Sequence, residues 1–146
     1  MFNKYVLPIS FLLMTSCAGT SATNDNTPTP TKRCLASQPN DVHLWINSMP
    51  GPSTGNRPPL HAVFTATLPT PGYQFALKLN RVMESLPEQV VLDLIVTRPT
   101  GIVAQVITET KVNLQLANFP GSEGSSVQVN CQGTPFFKVD KVLAVH

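Results

Sequence analysis

LHAVFTATL, residues 60–68, is the stretch that decides the fold. Leu60, Ala62, Phe64, Ala66 and Leu68 alternate with His61, Val63, Thr65 and Thr67. A period of two places the first set on one face of an extended chain and the second on the other, the pattern of a half-buried β-strand. The same period continues on both sides. Upstream, Val42, Leu44 and Ile46 alternate with His43, Trp45 and Asn47. Downstream, Pro69-Thr70-Pro71-Gly72 makes a turn, and Tyr73, Phe75, Leu77 and Leu79 then alternate with Gln74, Ala76 and Lys78. The runs on either side of that turn read as a hairpin or as neighbouring strands.

Farther along, RVMESLPEQ (81–89) has room to start a helical turn that Pro87 would stop. Val90 to Thr97 is apolar on both faces apart from Asp93, as a central strand would be. Arg98-Pro99-Thr100-Gly101 turns the chain, and Ile102 to Thr108 is expected as the next strand. Val112, Leu114 and Leu116, alternating with Lys111, Asn113 and Gln115, predict another. NFPGSEGSS (118–126) is a loop, and Val127, Val129 and Cys131 form one face of a short strand. Gln132-Gly133-Thr134 turns that strand into the last, Phe136 to Val145. About eight strands, with turn signals every 8–12 residues or so, predict an all-β domain over 34–146. The expected form is a single antiparallel β-sandwich or a partly open barrel.

The N-terminal part has a different character. Lys4 precedes an apolar run from Tyr5 to Met14, and Thr15-Ser16 leads into Cys17. The run is shorter than the ~20 residues a spanning helix needs, and it reads as a secretory signal. Met14-Thr15-Ser16-Cys17 closely resembles the lipobox of bacterial lipoproteins, in which the cysteine thiol is diacylated and the chain is cut just before it. The resemblance implies a signal peptide over 1–16 and a lipidated Cys17 at the head of the mature protein, open to palmitate labelling. Ala18, standing where Asp would retain such proteins at the inner membrane, implies the outer membrane, with the domain facing the periplasm. The alternative is an ordinary signal cut elsewhere, with Cys17 incidental. After Cys17, AGTSATNDNTPTPTKR (18–33) is small, polar and proline-bearing, so 17–33 reads as a lipidated cysteine followed by a tether.

With Cys17 on lipid, Cys34 and Cys131 remain as a pair, expected as a disulfide in an oxidising compartment. The alternative is two free buried thiols. Neither cysteine has a second ligand at zinc spacing, so no metal is expected.

One span resembles the PrcB C-terminal domain family, small β domains of secreted and lipid-anchored bacterial proteins. Pro71-Gly72-Tyr73 stands before a strand. A proline break, the Val90-Val91-Leu92-Asp93-Leu94 strand, Arg98-Pro99-Thr100-Gly101-Ile102-Val103 and Gln105-Val106-Ile107-Thr108 then follow in order. The chain differs in carrying Pro71 where that family has Gly, and in its cysteine pair. The resemblance implies a protein-binding accessory module of the kind that acts on a protease. It brings no catalytic residues with it.

Charge and motifs narrow the function further. The net charge of +2 falls to about +1 without Lys4. Lys32-Arg33 is the only adjacent basic pair, which argues against nucleic acid as a partner. Gly51-Pro52-Ser53-Thr54-Gly55 matches G-x-S-x-G, but it sits in the proline-rich loop 49–59 with no helix after it to form a nucleophile elbow. His43, His61 and His146 are scattered and read as surface residues. Asp93, between Leu92 and Leu94, either faces outward or needs a partner such as Arg98 or Lys78. Trp45, the single tryptophan, is either an interface anchor beside His43 and Asn47 or part of a core covering both strand faces.

The expected function is therefore binding without a cofactor. A lipid-anchored envelope protein would engage another envelope or periplasmic protein, as inhibitor, escort or complex subunit. Trp45, His43, Asn47 and Arg57 are the candidate contacts, and the loops 49–59 and 118–126 the candidate surfaces. The alternative is a structural envelope lipoprotein without a regulated partner. No enzyme is expected, because no nucleophile, base or metal set clusters in the sequence.

Overall fold

The computed structural model describes residues 33–37, 39–49 and 57–146. Cys17, the signal over 1–16, most of the 17–33 tether and the G-x-S-x-G match at 51–55 lie outside the described residues.

Among the described residues, eight strands follow in chain order: β1 (Asn40–Asn47), β2 (Leu60–Leu68), β3 (Gln74–Met83), β4 (Gln89–Thr97), β5 (Thr108–Leu116), β6 (Ser126–Cys131), β7 (Thr134–Val139) and β8 (Leu143–Val145). They form two four-stranded sheets, ordered β5-β2-β1-β8 and β3-β4-β6-β7, packed as a β-sandwich. β2 is buried at Leu60, Ala62, Phe64, Ala66 and Leu68 and half-buried at every residue between, as its alternation requires. Those side chains meet Val90, Leu92, Leu94 and Val96 of β4 and Val127 and Val129 of β6. Phe64 stands at the centre. Its ring lies edge-on to Phe75 at 6.4 Å and to Phe136 at 6.1 Å, and tilted against Phe137 at 5.4 Å, arrangements that suit the aromatic quadrupole. Among the described residues, the core cluster, with the hydrophobic residues packed on it, runs from Cys34 to Val142.

The sheets depart from the expected antiparallel pattern. β1 pairs with β8, and β4 with β6, in parallel. Residues 60–68 and 74–83 are not hairpin neighbours: β2 has β1 on one side and β5 on the other, so the next strand crosses to the opposite sheet. Gly72, at φ +87°, sits in that crossing, where a Cβ would lie 3.3 Å from Pro99 Cβ.

No helix forms over 81–89. β3 continues to Met83 through a bulge between Leu79 and Arg81. The extra residue changes the spacing of the core-side positions from two to three, Leu79 to Val82, which in a sequence imitates a helical step. The strand expected from Ile102 to Thr108 is absent over 102–107. Thr108 faces Leu68, the last residue of β2, so the residues before it have no partner strand. The expected last strand from Phe136 to Val145 is two strands in different sheets. Between them the chain crosses through Val142, which is fully buried and exchanges backbone hydrogen bonds with Gly124 and Ser125.

The Cys34–Cys131 disulfide is present and spans 97 residues. It defines one end of the sandwich, which also holds the links 69–73 and 98–107 and the turn at Gln132 and Gly133. Both turn residues take the positive φ values, 54° and 83°, that a two-residue hairpin needs. The opposite end holds the loops 84–88 and 117–125, and Phe119 of the second is fully buried. Arg33 enters at the disulfide end, where it lines a hollow with Leu35, Val96, Thr97, Arg98 and Gln132.

Candidate binding face

Because Leu44 and Ile46 point into the core, Trp45 points out from the first sheet. It is half-buried and lies outside the core cluster. The pairing of β1 with β2 sets Trp45 directly opposite His61, and the rings stack with centroids 5.2 Å apart and planes 7° from parallel. On the other side, β8 brings Leu143 into register with Trp45, and Val145 with Asn47. Leu143 and Val145 are 58% and 43% exposed. His43 faces Val63 in the same way. The result is an apolar strip across three strands, with an indole-imidazole stack at its middle.

The strip borders a groove of about 460 Å³ lined by His43, Trp45, Val139, Lys141, Leu143 and Val145, among others. β8 is short and pairs only with Trp45–Asn47. On that side Asn40–Leu44 has no strand beside it among the described residues. Such an edge can accept a further strand through main-chain hydrogen bonds.

The four candidate contacts are placed differently. His43 is exposed at the groove and Trp45 anchors the strip. Asn47 is exposed, but its Oδ1 accepts a hydrogen bond from the Met49 backbone N–H at 3.1 Å and so shapes the exit from β1. Arg57 is away from the strip: its Nη1 donates to the Pro120 carbonyl at 3.1 Å. The Phe119 N–H donates to the Pro58 carbonyl, also at 3.1 Å. Residues 57–59 and 118–120, from loops named separately in the sequence, are thus tied together at one end of the sandwich.

Asp93 is outward, on the far face of the second sheet. It accepts a 2.8 Å hydrogen bond from Asn80 Nδ2 and lies in register with Lys78. Among the described residues no ion pair joins it to Arg98 or Lys78. No group of three His, Cys, Asp or Glu among the described residues is arranged to hold a metal.

Sequence reasoning missed the Trp45–His61 stack and the contribution of Leu143 and Val145. The stack needs the β1–β2 register, and the other two need β8 to leave the second sheet. The one local signal was Asp140-Lys141, a charged pair interrupting the supposed long strand. No known protein family, no curated protein and no solved structure matches this chain.

Proposed function

We propose that this chain is a lipid-anchored cell-envelope protein, acylated at Cys17, whose β-sandwich captures another envelope or periplasmic protein on the outer face of its first sheet. The observation that carries this reading is the Trp45–His61 stack, flanked by exposed Leu143 beside an unfinished strand edge. Tryptophan is enriched among the few residues that dominate interface energy. Stacking on His61 holds the indole in one orientation before a partner arrives, which reduces the entropy lost on docking. An extended partner segment lying along His43 and Leu44, past the irregularity at Asp41, would add main-chain hydrogen bonds and set its side chains against the groove. The entry of Arg33 at the disulfide end agrees with a tether coming from that end.

A photo-crosslinking residue at position 43, in the exported chain, tests the surface. The expected result is one discrete adduct that disappears on Trp45→Ala. That substitution is expected to weaken capture by about 2 kcal/mol or more, while loss of the stack costs folding only about 0.5–1.5 kcal/mol. Unchanged crosslinking in the Trp45→Ala chain would exclude this face. The anchor is tested by labelled palmitate, whose incorporation should vanish in Cys17→Ser; label persisting in that variant ends the lipoprotein reading.

A further inference from the structure

The link from β4 to β5 holds apolar side chains that the core does not use. Ile102 is fully exposed, and Ile107 and Val106 are 77% and 58% exposed. Single exposed apolar residues are ordinary on protein surfaces. Three within six residues, on a link with no strand over 102–107, need a reason. Burial elsewhere in the fold does not supply one, because the link begins and ends at the edge of the sandwich, after Thr97 and before Thr108.

The charge around this link is one-sided. Residues 33–37, 69–73, 98–107 and 132–135 make up the disulfide end and contain Arg33 and Arg98 but no Asp or Glu. The two arginines line one hollow. Two carboxylates stand just outside these links, Asp41 near the start of β1 and the exposed Glu109 of β5, two residues after Ile107. The opposite end reverses this balance. There Glu84, Glu88 and Glu123 line a hollow of about 670 Å³ beside the fully exposed Leu86. Apolar exposure occurs at both ends, but at the Phe119 end three glutamates outnumber Arg57, whereas the links of the disulfide end carry two arginines and no carboxylate.

We propose that the link 98–107 is a membrane-contact loop, seating Ile102, Val106 and Ile107 at the acyl boundary of a phospholipid bilayer while Arg33 and Arg98 meet anionic headgroups. Apolar side chains bordered by basic ones are the composition of surfaces that lie in the interfacial layer, and anionic lipid adds to their binding. The choice of a bilayer over a protein as occupant rests on the lipid-anchor reading, since Arg33 brings the chain from Cys17 to this same end. The contact would hold the disulfide end against the lipid and turn the Phe119 end away from it.

The test uses residues 18–146, which hold the whole core cluster and carry no acylation site at position 17. This protein is floated with an excess of vesicles made of phosphatidylethanolamine and phosphatidylglycerol. The expected result is cofloating that falls at least about tenfold in Ile102→Asp/Ile107→Asp, since each change removes a buried apolar side chain from the lipid. Leu86→Asp, equally exposed at the other end, should float as the unsubstituted protein does. Failure to float, or an equal loss from Leu86→Asp, would overturn the proposal. Palmitate labelling of the full chain reports on the anchor separately, so either reading can fail while the other stands.

Discussion

At one end of the sandwich a covalent bond joins Cys34 to Cys131; at the other, the fully buried Phe119 packs into the core cluster with no crosslink. The two closures constrain their loops differently. Around the disulfide, the link 98–107 carries its apolar side chains outward, and Gly101, at φ +99°, has open space where a Cβ would go. Around Phe119 there is little slack. A Cβ on Gly121 would stand 2.6 Å from Phe119 Cε1. Ser125 Oγ accepts from the Ser122 N–H at 2.9 Å, and Arg57 ties down Pro120. A crosslink frees its neighbours to serve a surface, whereas a packed plug enlists them to hold it.

The sharpest way to break this contrast is to remove the crosslink. For a bridge spanning 97 residues, the chain-entropy estimate gives a loss of about 4.7 kcal/mol, read from denaturant midpoints of Cys34→Ala/Cys131→Ala. A smaller loss would mean that the unfolded chain already holds these two positions near each other without the bond. Phe119→Ala should cost about 3–5 kcal/mol in the same assay. It should also raise amide exchange in 117–125 while leaving 98–107 unchanged. Gly121→Ala sharpens the comparison without deleting a contact: it forces the Phe119 ring to move and is expected to cost about 1–3 kcal/mol. Arg57→Ala, last, removes one hydrogen bond and should cost about 0.5–1.5 kcal/mol by thermal unfolding.

The contrast also explains what could be read in advance. The alternation over 60–68 survives because β5 pairs β2 for its whole length and β1 pairs it from Leu60 to Thr65, so period and burial agree residue by residue. The cysteine pairing was legible because removing Cys17 left only one combination. Phe119 was not legible: it belongs to a proline- and glycine-rich loop whose local sequence carries no period, and its burial follows from the distance between two sheets. Ile102, Val106 and Ile107 misled for the opposite reason. They are residues that favour strands, placed where no strand is beside them. At the binding face, Trp45 could be assigned to the polar side of β1 from sequence. That its neighbours are His61 and Leu143 depends on register and on a crossing at Asp140–Val142, information spread across the chain.

The parallel pairing of β1 with β8 has a consequence for the order of events during synthesis. The chain is made from its N-terminus, and β1 is the first of the described strands to emerge, yet its second neighbour is residues 143–145. Until those three residues are released, all of one edge of β1 offers unpaired amides and carbonyls to any other nascent chain. The first sheet is thus begun by the earliest strand and finished by the latest. A chain stopped short of Leu143 would carry the whole core and still leave its oldest strand uncapped.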